Sequence, residues 1–179
     1  MGTKNLRFFH LIFLGLLCSS ITIVGTIAGC FFTGGVPQWS GSGFIRKDLL
    51  EYKKVAVLPF KGDSGGETSG NFAETFHEKF PRFEVVRRGQ VLEAFQEQSL
   101  YPDQIDEATR RKIGQVFGAQ ALVIGNVYYP SVLRWLLQIQ VIDVETGEIL
   151  GRSLVEINYV GEEGMKEACK IAVKNLALR

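Results

Sequence analysis

The chain has 179 residues, of which 46% are hydrophobic and 22% charged, with a formal net charge of +1. That length suits one domain with a sizeable core. The near-neutral balance gives no electrostatic basis for binding nucleic acid. In chain order, Lys4 and Arg7 come first, followed by Leu11 to Gly29 without a charge. These are the positive and apolar regions of a secretory signal.

Ile27, Ala28, Gly29 and Cys30 close the apolar run, and the small residues at 28 and 29 suit a peptidase cleft. The sequence resembles the lipobox of bacterial lipoproteins. That resemblance implies diacylation of Cys30, cleavage before it and an acylated N-terminus, and several acyl chains together hold a protein stably on a membrane. An uncleaved transmembrane helix is the alternative for an apolar stretch approaching ~20 residues, whereas Gly15, Ser19, Ser20 and Gly25 favour processing. Leu16 and Leu17 are too large to make a second such site at Cys18. Phe31 is not acidic, so the sorting rule associated with such lipoproteins points to the outer membrane, with the domain in the periplasm. Removal of residues 1–29 takes two positive charges and no acids, and the formal charge becomes −1. Cys169 is then the one cysteine left unmodified. No intrachain disulfide is possible, so the domain must rely on its core. Cys169 shares the apolar side of the last helix with Met165, Ala172 and Leu176, the setting of a buried hydrophobe.

Residues 30–52 contain Gly34-Gly35, Pro37 and Gly41-Ser42-Gly43, the composition of a short tether. The folded domain is expected over 53–179. Lys54 to Phe60 is a compact β-branched run, the mark of a buried strand that Pro59 ends. A glycine-rich loop from Lys61 to Gly70 leads to a helix with Phe72, Phe76 and Phe80 on one face, stopped by Pro81. Phe83 to Val86 is the second strand, and Val91, Leu92 and Phe95 mark a short helix. A third helix from Asp103 turns Ile105, Ile113, Val116 and Phe117 inward and Arg110, Arg111 and Lys112 mostly outward, with Gly118 as its cap. Ala121 to Val127 is the third strand. Trp135 to Val144 and Ile149 to Tyr159 form a hairpin around Glu145-Thr146-Gly147-Glu148. Leu137, Ile139 and Val141 alternate with Gln138 and Gln140, so this part has one buried face. Glu162 to Leu178 is the closing amphipathic helix. The order βαβααβββα predicts an α/β fold with a single mixed sheet covered by helices.

Within this frame Val85-Val86, Arg88, Leu92, Glu97-Gln98, Ile113-Gly114, Gly118-Ala119 and Val123-Ile124-Gly125 form a spaced set, with Asp143 to Leu150 as a further hairpin motif. The set resembles an envelope superfamily comprising the curli-secretion lipoproteins (CsgG), the lipoprotein activators of penicillin-binding proteins (LpoB) and the N-terminal domain of TolB. The resemblance covers about Lys53 to Arg179. Arg87 departs from it, because an acid usually precedes the arginine. Channel members insert membrane hairpins after the third strand and after the long hairpin. Here Tyr128 to Leu133 and Gly161 leave no room for strands of ~9–11 residues each. LpoB-like activators lack those hairpins too, but the resemblance implies a long arm that this tether does not supply.

Gly62-Asp63-Ser64-Gly65-Gly66 matches the surroundings of a protease nucleophile and also fits G-x-S-x-G. His77 follows Ser64 by thirteen residues, which is the wrong order for a protease and too close for a hydrolase. The loop lacks the Gly-Lys-Ser/Thr ending of a phosphate loop, and Asp63 with Glu67 could form only a loose calcium site. Once residues 1–29 are removed, one histidine and one free cysteine remain and cannot supply a zinc site. No catalysis, metal or cofactor is expected, and Arg88 and Glu97 are read as helix-end and packing contacts. Surface recognition remains. Tyr128, Tyr129 and Trp135, beside Pro130, are the candidate partner-binding residues, with Trp135 also suited to packing over the sheet. The expected function is that of a non-enzymatic outer-membrane accessory lipoprotein with an envelope protein partner. It would serve a secretion or surface-organelle assembly, where homo-oligomers are possible; the alternative is a role as activator of a penicillin-binding protein.

Overall fold

The computed structural model describes residues 39–86, 88–97, 105–131, 134–157 and 162–177. The signal, the cleavage motif Ile27-Ala28-Gly29, Cys30 and Arg87 lie outside them. Six strands make one mixed sheet: β1 Trp39–Ile45, β2 Lys54–Val57, β3 Glu84–Val85, β4 Ala121–Ser131, β5 Arg134–Asp143 and β6 Ile149–Ile157, in the spatial order β1-β6-β5-β4-β2-β3. β2 pairs parallel with β3 and β4, and the other neighbours are antiparallel. Four helices cover the sheet: α1 Glu67–Lys79, α2 Arg88–Glu97, α3 Glu107–Phe117 and α4 Glu162–Asn175. This is the mixed α/β single sheet that the periodicity predicts.

The tether reading fails from Trp39 onward. Trp39–Ile45 is an edge strand in register with β6, from Trp39 opposite Ile157 to Ile45 opposite Gly151. A 3-10 turn at Lys47–Glu51 follows, and Ile45 and Leu49 are buried in the main core. Gly41 and Gly43 look like loop residues but answer a packing demand. A Cβ at either would come within 2.6 Å of a neighbouring β6 carbonyl oxygen, and Asn175 at the end of α4 presses on both. The expected connection after Val127 is also strand, because β4 runs on to Ser131, which pairs with Arg134.

Two cores flank the sheet. The larger lies under α1 and α4 and joins Phe72, Phe76, Phe83, Leu137, Ile139, Val155 and Ala172. Phe76 stacks on Phe72 and Phe83 with ring centroids 5.8 Å apart in both pairs. Cys169, fully buried with Ala172 and Leu176, sits here. The smaller core lies under α2 and α3 and joins Ala56, Leu58, Leu122, Val91, Phe95 and Ile113. Val116, expected inward, is exposed, and so is Leu92 of the short helix. α3 begins at Glu107 because the Asp106 side chain accepts from the Thr109 N–H at 2.8 Å. Ile105 therefore precedes the helix, yet still packs on the small core.

Candidate recognition surface

The Gly62–Gly66 loop is a helix-capping device. The Asp63 carboxylate accepts from the backbone N–H groups of Thr68 at 3.2 Å and Ser69 at 2.8 Å, and Gly66 adopts φ 67°. These bonds satisfy the first free donors of α1. They also fill with negative charge the place a phosphate would take. Ser64 is exposed in the loop and His77 is exposed on α1, and no hydrogen bond joins them. Among the described residues, no group of three His, Cys, Asp or Glu side chains is placed to hold a metal. Burial, with the charge of Asp63 adding to it, pushes the Cys169 thiol up to about 12. A thiol so protonated at neutral pH is a poor nucleophile.

At one end of the sheet the register sets Trp39, Ile157 and Trp135 in a row across β1, β6 and β5. Trp135 is half-buried against the main core, and the Tyr129 ring meets it edge-on at 4.4 Å between centroids. The Tyr129 hydroxyl donates to the Gly62 carbonyl at 3.2 Å, tying the strand end to the capping loop. Burial, then the nearby Asp63 charge, raises the Tyr129 hydroxyl pKa. Tyr128 is 57% and Tyr129 47% exposed. The structure thus brings Tyr129 and Trp135 into contact at this strand end, while Tyr128, opposite Leu136 in the register, lies on the other face of the sheet; both tyrosines are open and Trp135 is mainly a packing residue.

The opposite end is polar and latched. Tyr52 donates to Asp143, and Arg46 pairs with Glu148 at 2.9 Å and with Asp48. Arg110, expected outward on α3, donates from Nε to the Val144 carbonyl at 2.8 Å and so fastens α3 to the hairpin turn. Its basic neighbours disguised this role, and only the hairpin's position reveals it. Arg88 and Glu97 open and close α2. Glu97 lines an open groove with Lys54, Gln90, Glu93, Val116 and Phe117, whose mixed lining gathers no reactive set.

A single mixed sheet with helices on both faces defines a domain of the mixed α/β class. No protein-family model matches the sequence, and no curated protein matches it. Among solved structures the chain is similar to lipoprotein GNA1162 from Neisseria meningitidis, at 20% identity and a TM-score of 0.50, over 68% of this chain and 94% of that one. It also matches the PelC dodecamer from Paraburkholderia phytofirmans, at 15% identity and TM-score 0.47, over 80% of this chain and 100% of that one. A third match is the C-terminal domain of LpoB from Escherichia coli, at 20% identity and TM-score 0.45, over 62% and 83% of the two chains. The likeness to GNA1162 is one of fold.

Proposed function

We propose that this chain is a lipid-anchored accessory protein of the bacterial envelope that works by binding, and that its partner is a penicillin-binding protein whose peptidoglycan synthesis it activates. The observation that carries the reading is the closed β4–β5 hairpin. Ser131 pairs with Arg134, so only two residues lie between the paired ends, where channel-forming CsgG-like proteins carry membrane strands. Each such strand needs ~9–11 residues. The remaining resemblance is to LpoB-like activators, which lack those strands. Capping by Asp63 supports a non-catalytic role for the Gly62–Gly66 loop.

A second reading, a subunit of a secretion or surface-organelle assembly, is favoured by the arm. With β1 inside the domain, nine residue steps separate Cys30 from Trp39, a reach of about 30 Å at full extension. A synthase partner would have to come to the membrane that holds the lipoprotein. Crosslinking in native cells, followed by affinity recovery and mass spectrometry of what is bound, separates the two. Recovery of a penicillin-binding protein is expected. Recovery of secretion or organelle components, or a ring of copies of this chain, would replace the activator reading with the second. Hydrolase activity abolished by Ser64→Ala would overturn both.

A further inference from the structure

The aromatic end of the sheet and the start of the chain's route to Cys30 are the same end. Trp39, the first residue of β1, lies in the row that contains Ile157 and Trp135. Tyr129 meets Trp135 edge-on, and Tyr128 and Tyr129 are among the most exposed large hydrophobic residues described. Two exposed tyrosines on a strand end have apolar ring faces and polar tips, the combination that settles at the boundary between water and lipid. The arm from Cys30 to Trp39 spans about 30 Å at most, which is within the thickness of a headgroup layer plus a small domain's radius.

We propose that this end of the sheet rests in the headgroup region of the anchoring membrane, with Tyr128 and Tyr129, on opposite faces of the strand end, as lipid-contacting side chains and Trp135 packed against Tyr129. The inference builds on the Cys30 anchor of the proposed function and turns the two tyrosines from partner contacts into membrane contacts. The acyl chains supply the affinity. The tyrosines contribute orientation, because a short arm keeps them at high effective concentration over the surface. Charge contributes little here. Arg134 is paired with Glu156 at 2.5 Å, and exposed Lys61 is offset in the net balance by exposed Glu67 nearby in the sequence. The latched end around Glu145 and Glu148 then points away from the bilayer, where a partner can reach it.

The chain has two tryptophans, so Trp39→Phe leaves Trp135 as the sole indole reporter. The acylated full-length protein is placed in phosphatidylcholine vesicles brominated high on the acyl chains. The expected result is loss of roughly half of the Trp135 fluorescence relative to unbrominated vesicles, and recovery of most of it with Tyr128→Asp. Acylated, vesicle-bound protein whose Trp135 emission is indifferent to bromine would overturn the proposal while leaving the anchor intact. Quenching unchanged by Tyr128→Asp would overturn the assignment of that tyrosine. Protein whose mass carries no acyl group on Cys30 would remove the anchor reading and, with it, this orientation.

Discussion

The two sides of the sheet are built to different extents. Under α1 and α4 the buried positions run across five strands, from Ile45 on β1 through Ile157, Leu137 and Val123 to Val55. Under α2 and α3 the buried set is confined to β2, β4 and the far end of the hairpin, at Ala56, Leu58, Leu122, Ile142 and Val144. Farther across that side, Arg152 and Leu154 are exposed and Gln138 and Gln140 half-buried. One side is therefore a complete core and the other covers half the sheet. The difference explains the two kinds of strand sequence. β2 and the start of β4, covered on both sides, are continuously apolar, whereas β5 and β6, covered on one side, alternate.

If the α1/α4 side carries the stability, Phe76→Ala has the largest effect. Phe76 is fully buried among Phe72, Phe80 and Phe83, and its truncation is expected to cost about 3–5 kcal/mol in chemical denaturation. A loss below 1 kcal/mol would mean that the two sides share the load. Gly125→Ala sharpens the same point by overpacking. The new Cβ would meet the Phe60 ring at 2.4 Å, for an expected loss of about 1–3 kcal/mol. Asp63→Ala removes the α1 cap and is expected to cost about 1 kcal/mol, with a hydrolase assay unaffected. The smallest effect belongs to the latch at the polar end, and it depends on pH.

Burial pushes the Asp143 carboxyl up, but the Thr146 N–H, the Tyr52 hydroxyl and the Thr146 hydroxyl outweigh it and hold the carboxyl below its ordinary value. The folded state then binds that proton less readily than the unfolded chain. The resulting stability is present above the ordinary carboxylate range near about 4 and is lost as pH falls through the depressed folded value. Tyr52 behaves oppositely. Burial, then the bond to Asp143, raises its hydroxyl to about 12, so its contribution is complete below the ordinary value of about 10 and is lost as pH rises toward the folded one. Thermal melts of Tyr52→Phe across pH are expected to show a shallower acid limb and a shallower alkaline limb, the remainder of the latter belonging to Tyr129. An unchanged profile would remove the latch from the account.

The helices and the inner strands were legible because their signals are local. Phe72, Phe76 and Phe80 recur at helical spacing, β2 is a β-branched run, and Gly147, with φ 75°, fixes the hairpin turn. β1 was not legible. Its Gly41-Ser42-Gly43 core has the composition of a loop, and the reason for the glycines, the approach of Asn175 and of β6 carbonyls, lies more than a hundred residues away in sequence. The candidate surface was half legible. Tyr128, Tyr129 and Trp135 stood out by type, but the contact of Tyr129 with Trp135 required β4 to continue to Ser131, paired with Arg134 of β5. Val116 misled because helical spacing assigns a face without saying how far the covering layer extends.

The central proposal is that a compact α/β domain is held within a short arm of a membrane by its own lipid. Its most direct test is the intact mass of the protein extracted from its native membranes. The account predicts a chain that begins at Cys30 and carries acyl groups there. A chain that retains Met1, or one that begins at Cys30 without lipid and is recovered in the soluble fraction, would contradict it.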